Sequence, residues 1–200
     1  MTHSSTPALC RVDAQTITRI LLSHDGSTTT LLASLLEEPV RVRVVLQAQR
    51  PAATALSPAA RVRMDASADD TMIVRRSNLV RPTGAAISAN KVVLDPCHPL
   101  AADVITGCDI PLGYLLAGQR VEQRRELLAR GVRRWSWGPP DSAGQSRVSV
   151  WRSYIIVISG SPAFYIEEVF HPDLIPPLPE LLDGEPDEHQ EEWPDVASAG

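Results

Sequence analysis

The sequence predicts an α+β domain built on an antiparallel β-sheet, and three observations lead there. Runs rich in β-branched residues come in pairs joined by short turns, as hairpins do. Segments with helical apolar spacing stand at the front and in the middle of the chain, so the strict strand–helix alternation of a parallel sheet is missing. No internal repeat at a fixed period is visible.

The first element pair lies in DAQTITRILLSHDGSTTTLLASLLEEP. Ile17, Ile20 and Leu21 precede a break at Asp25-Gly26, and Leu31, Leu32, Leu35 and Leu36 follow it, with Ser27, Thr28 and Thr29 supplying N-cap chemistry for the second helix. From Val40 to Val44 valines alternate with arginines, the pattern of a half-buried strand with one wet face. Pro51 to Ala68 has no sustained period and reads as a long, partly mobile connection.

Met72 to Val80 and Ala85 to Leu94 read as two strands joined by RPTG. Period two puts Ile73, Arg75, Ser77 and Leu79 on one face of the first, and Asn90 with Val92 and Leu94 on one face of the second, opposite to Lys91. IPLGYLLAGQRVEQRRELLARG reads as a short apolar turn leading into a charged helix, closed by Gly131. After the loop RRWSWGPPDSAGQ, Ser146 to Ile158 and Ala163 to Phe170 form a last hairpin turning at SGSP. Residues 177–200 are Pro-rich and acidic with no Lys or Arg, which favours a disordered tail. Residues 1–15 read as a flexible N-terminus, leaving one domain over 16–176.

The bulk properties narrow the function. Two hundred residues at 44% hydrophobic content suffice for one domain with a real core. A net charge of −5 offers no footprint for nucleic acid. No run of about eighteen apolar residues points to a membrane span, and the first residues lack the basic and apolar regions of a secretory signal, so the expectation is a cytoplasmic protein. Cys10, Cys97 and Cys108 are spaced like neither a disulfide framework nor a zinc site. Cys97 and His98 are chain neighbours without the setting of a nucleophile and its base. No Walker loop or dinucleotide fingerprint is present, and no cofactor or metal is expected.

The last strand holds an anomaly. Phe164, Ile166, Glu168 and Phe170 share one face, and Tyr165, Glu167, Val169 and His171 the other, so a carboxylate stands among apolar side chains. Such a residue either pairs with a buried arginine for structural reasons or belongs to a pocket.

In this order the segments resemble the chorismate lyase (chorismate–pyruvate lyase) family, in its small actinobacterial-type members, from about Leu21 to Pro172. The resemblance rests on LLSHDGSTTTLL, on IVRRSNL, on DIPLGYLL with Arg124 further along, and on RSYIIVISGSPAFYIEEVFHP. It implies a chorismate lyase-like fold with helices packed on the sheet around an internal ligand pocket. It also implies elimination of pyruvate from chorismate to give 4-hydroxybenzoate, without a cofactor, in a monomer or dimer.

By that resemblance Arg75 offers its guanidinium to a substrate carboxylate, Ser27 and Thr28 hold other oxygens through their backbone amides, and Leu112 and Gly113 form the turn beside the substrate. Arg124 and Arg152 are further candidate contacts, and Trp135 and Trp137 are candidates to close the pocket. The family's glutamate falls on Glu168 counting back from Phe170 and Pro172, and on Glu167 counting forward from Pro162; strand periodicity favours Glu168 as the group that transfers or polarises the proton. One departure stands out: where the family's best-studied type has a second arginine, this chain has Asn90. That opens two alternatives, a same-fold enzyme acting on another substrate and a non-catalytic module that binds an aromatic acid.

Overall fold

The computed structural model describes residues 13–107, 110–119, 122–135 and 147–182. Residues 1–12 of the expected N-terminal segment and most of the acidic tail, together with Cys10, Cys108 and Trp137, lie outside the described residues, whereas residues 13–15 belong to the start of the first helix. Helix α1 (Ala14–Ser23) is capped by Asp13, whose carboxylate accepts the Thr16 amide at 2.7 Å, and α2 (Thr28–Leu36) by Ser27, whose hydroxyl accepts the Thr30 amide at 3.3 Å. Strand β1 (Arg41–Pro51) keeps its arginines wet and its valines half-buried.

The stretch after β1 is a correction to the sequence reading. It is not a loose connection but two short helices, α3 (Ala52–Ala55) and α4 (Pro58–Arg63), the second started by the Ser57 hydroxyl on the Ala60 amide with Pro58 in its first turn. Helices this short have little periodicity to read, and of their alanines Ala52, Ala55 and Ala60 are buried while Ala53 and Ala59 are exposed, so composition announces no face.

Strands β2 (Thr71–Val80) and β3 (Ala86–Leu94) follow, then α5 (Ala101–Thr106) and α6 (Leu112–Gly118). A second correction concerns what comes next. Gln123 to Trp135 is not a helix but β4 (Gln123–Trp135), paired along its length with β5 (Arg147–Ile158). Glu, Leu, Ala and Arg are helix formers, yet pairing with the apolar β5 outweighs propensity here. Gly131 is then no helix cap: it stands opposite Trp151, where an added Cβ would come within 3.2 Å of the indole nitrogen. Strand β6 (Ser161–Phe170) closes the last hairpin across Ser159 and Gly160, both at positive φ, as a two-residue hairpin turn requires. A last turn of helix, α7 (Pro179–Leu182), ends the described chain.

The six strands form one antiparallel sheet in the order β1-β2-β3-β6-β5-β4, two three-stranded meanders joined where β3 meets β6. Both faces are covered. On one, Val92, Leu94, Tyr154, Ile156, Phe164 and Ile166 pack under Ala101 and Val104 of α5 and Leu116 of α6, and Phe170 meets Leu21, Leu22 and Leu32 of α1 and α2. On the other, Val74, Val93, Ile155, Val157 and Tyr165 pack against Ala52, Ala55, Leu56 and Ala60. Burial on both sides is why the central strands read as continuous apolar runs. No helix among the described residues is long and apolar enough to cross a membrane.

Candidate functional site

Where the helices of the first face part slightly, a cleft of about 50 Å³ opens over the seam between the two meanders. Leu79, Val92, Tyr154 and Ile166 give it apolar walls, Leu112 of α6 lies over it, and Ser77, Asn90 and Glu168 are its polar groups. Asn90 stands directly opposite both Ser77 and Glu168 across the ladder, so three adjacent strands deliver these groups to one spot.

Glu168 is 4% exposed and Arg152, its cross-strand partner on β5, only 1%. Oε2 of Glu168 accepts from Arg152 Nε at 2.9 Å and from the Thr28 hydroxyl at 2.9 Å, while Oε1 accepts no hydrogen bond among the described residues. A buried carboxylate is tolerable only with such compensation. The rest of the guanidinium ties the sheet to the α1–α2 loop: Nη1 donates to the His24 carbonyl at 3.0 Å, and Nη2 donates to the Thr28 hydroxyl at 2.7 Å and lies 3.0 Å from His24 Nε2. It also sits over the Tyr154 ring, 4.9 Å from the centroid. Burial pushes the Tyr154 hydroxyl up from its ordinary pKa, and the negative charge of Glu168 adds to the shift. Burial likewise lowers His24, to about 4, with the Arg152 charge acting in the same direction.

The sequence-predicted residues divide. Glu168, Arg152, Thr28, Asn90 and Leu112 come together at the cleft. Thr28 joins the Glu168–Arg152 network through its hydroxyl, and the Ser27 hydroxyl serves its own helix. Gly113 lies against that cap: an added Cβ would stand 2.4 Å from Ser27 Oγ and 3.2 Å from Thr29 Oγ1, so its missing side chain lets the starts of α2 and α6 close on each other. Asn90 exchanges hydrogen bonds with the Ser88 hydroxyl at 3.1 and 3.2 Å.

Arg75 is buried on the expected face, but Nη1 donates to the Val104 carbonyl at 2.7 Å and Nη2 to the Gly107 carbonyl at 3.3 Å. It satisfies carbonyls at the end of α5, groups a helix terminus leaves without intrahelical partners. Arg124 is not brought to the site. Its exposed side chain pairs with Glu126 on the same strand, and its neighbour Arg125, opposite Ile156, takes the cleft side of β4. Trp135 lies edge-on to His171 at 4.9 Å and packs with Ala89, Trp151 and Val169, a group on the far face of the sheet. His98 packs on Phe164 while Cys97 is exposed, so the two do not form a nucleophile and base.

Sequence reasoning missed Tyr154, His24 and Arg125. Tyr154 is two residues from Arg152 on the same strand and was open to the periodicity that found Glu168. His24 had no such signal, because a loop has no period. Among the described residues no three His, Cys, Asp or Glu side chains converge as a metal site would need.

Comparison with solved structures finds the same fold at low identity. PhnF from Mycobacterium smegmatis matches with a TM-score of 0.58 at 8% identity, over 75% of this chain and 65% of that one. The effector domain of PhnF alone matches at 0.52 and 8%, over 74% and 90%. YydK from Bacillus subtilis, described as a possible transcriptional regulator, matches at 0.52 and 11%, over 68% and 60%. The likeness is therefore to part of those two longer chains and to nearly the whole of the effector domain. Curated protein sequences provide no match. The six-stranded sheet with its helices is the chorismate lyase-like α+β fold. A family model described as chorismate pyruvate-lyase Rv2949c-like matches residues 22–176, from the end of α1 past the strand that bears Glu168, and the chain belongs to that family.

Proposed function

We propose that the cleft binds chorismate and eliminates pyruvate from it, leaving 4-hydroxybenzoate, with residues 16–176 as the functional unit. The observation that carries this reading is Glu168, whose Oε2 is fixed by Arg152 and Thr28 while Oε1 is left for a ligand in an apolar cleft. In the elimination, the C–H bond at the hydroxyl-bearing ring carbon breaks and its electrons complete the aromatic ring. The neighbouring ether C–O bond breaks, and the proton ends on the methylene of the departing enolpyruvate. Aromatisation supplies the drive, so the protein has to hold the ligand in a reactive geometry and manage one proton.

Glu168 Oε1 is placed to accept the ring hydroxyl and to take or polarise the proton, with Arg152 and Thr28 keeping the carboxylate oriented. Leu79, Val92, Tyr154 and Ile166 hold the ring and exclude water. Asn90 and Ser77 supply neutral partners for the ring carboxylate, and Arg75 supports that side of the cleft by fixing the end of α5. A ring-sized ligand exceeds about 50 Å³, so α6 and the start of α2 part to admit it.

The test is to mix the purified chain with chorismate and follow pyruvate and aromatic acid together by chromatography and mass spectrometry. Equal release of both above the spontaneous rate is expected. The likeness to the PhnF effector domain favours a second reading, a module that binds an aromatic acid without turnover. Thermal stabilisation by 4-hydroxybenzoate with no pyruvate released would select it.

A further inference from the structure

The face of the sheet away from the cleft carries an excess of buried positive charge. Lys91 of β3 stands directly opposite Arg76 of β2 on one side and Glu167 of β6 on the other. Like charges facing each other across a ladder repel, and more strongly where water is scarce. Arg76, Lys91 and Arg133 are 9%, 6% and 8% exposed, so all three cations are buried. Among the described residues of this row the carboxylate is Glu167, whose oxygens already accept from Arg133 and the Tyr165 hydroxyl. Three buried cations around one carboxylate call for further negative charge on this face.

The surroundings fit a peptide better than a small anion. Helices α3 and α4 cover the half of the face around Val74, Val93 and Ile155, whereas Ala89, Trp151 and Val169 pack with Trp135 and with no helix among the described residues. In that second half Asn78 Oδ1, Ser149 Oγ and Trp151 Nε1 are buried and meet no hydrogen-bond partner among the described residues. A peptide backbone brings both donors and acceptors to such atoms.

We propose that the chain's own residues 183–200 dock across this half of the far face, with their carboxylates on Arg133, Lys91 and Arg76. Those residues carry seven Asp and Glu and no Lys or Arg, while residues 1–12 carry no carboxylate side chain and 136–146 only Asp141. The segment follows α7, whose Leu181 packs on the cluster that holds Val132 of β4, and β4 is an edge strand of the sheet. Rounding that edge brings the chain to Arg133 of β4. Lys91 of β3 lies three strands further in, about 14 Å at the usual strand spacing, and residues 183–195 reach about 40 Å when extended. A segment too polar to build a core of its own is ordered by countercharge and charge-assisted hydrogen bonds. The docking is independent of the chemistry in the cleft, which opens on the other face.

The test exploits Lys91 as the one lysine of the sequence. A mixture of unlabelled and isotope-labelled full-length chains is treated with a water-soluble carbodiimide, which joins an amine to a carboxylate in contact with it, and the digest is read by mass spectrometry. Lys91 should be joined to residues 183–200 of its own chain. In parallel, a glutamate-specific protease is followed within residues 183–200, each rate being referred to the free peptide of that sequence under the same conditions. Lys91→Gln, which also relieves the repulsion from Arg76, should speed this cleavage about tenfold at low salt, as the loss of one hydrogen bond to a charged group would. Salt at about 1 M should speed cleavage of the wild type in the same way. Equal rates in wild type and Lys91→Gln overturn the docking, and so does the lack of any bond from Lys91 to residues 183–200. A bond formed only between an unlabelled and a labelled chain gives the face to a second copy and likewise overturns the proposal.

Discussion

Glu167 and Glu168 are chain neighbours of identical chemistry, and each is paired with an arginine, but on opposite faces of the sheet. Glu167 has both oxygens taken: Arg133 Nη1 donates to Oε1 at 2.6 Å and the Tyr165 hydroxyl to Oε2 at 3.0 Å. Glu168 has Arg152 and Thr28 on one oxygen and the cleft on the other. The side chains of the first pair are 10% and 16% exposed, those of the second 1% and 6%. A buried ion pair becomes a candidate for chemistry when it keeps an acceptor unused at a cavity; without that it is structure.

The sharpest way to break this contrast is to neutralise each glutamate. Glu168→Gln should lower chorismate turnover by about 10²–10⁴-fold, the range of general acid–base contributions, with the fold intact by circular dichroism. Glu167→Gln should leave turnover within about threefold, and equal losses from the two would erase the distinction. Removing the arginines tests the same point through stability. Arg152→Met leaves a charged carboxylate in a nearly dry site and should cost about 3–5 kcal/mol in urea unfolding. Arg133→Met leaves Glu167 with the Tyr165 hydroxyl and some water, for about 1.5–3 kcal/mol.

Two glycines extend the comparison at a smaller scale. Gly113→Ala pushes on the Ser27 cap, so a loss of about 0.5–2 kcal/mol should come with weaker ligand binding, because Thr28 follows directly. Gly131→Ala meets only the Trp151 indole on the far face, and the same melts should show a smaller loss and unchanged binding. The smallest effect concerns pH. Burial depresses the folded pKa of His24 to about 4 from its ordinary 6.5, so the unfolded chain takes up this proton first as pH falls. His24 therefore adds a decline in stability between about pH 6.5 and 4 and none below. Urea midpoints measured at pH 7 and 5 should show a smaller decline in His24→Asn than in wild type, since His98 and His171, also lowered by burial, remain in both.

The strands that were legible are those whose residues agree with their state. β2, β3, β5 and β6 are rich in β-branched and aromatic residues between short turns, and period two then placed Asn90 and Glu168 on the face where the structure has them. β4 was illegible because its composition favours a helix; the resemblance put forward Arg124, whereas strand parity turns that side chain outward and brings Arg125 to the cleft side. Arg75 was given its correct face but not its partner, because nothing in the strand says that α5 will end above it. His24 depends on three elements meeting at a loop, which neither composition nor spacing encodes.

The seam between the meanders has a consequence for the order of assembly. β5 and β6 are joined by two residues, so Arg152 and Glu168 meet inside a local hairpin, whereas Asn90 reaches Glu168 only when β3, from the other half of the chain, pairs with β6. Loop closure over that distance carries the larger entropic barrier and belongs late in folding. The carboxylate thus arrives at the last-formed contact already neutralised by its arginine, and no step on the route has to bury a lone charge.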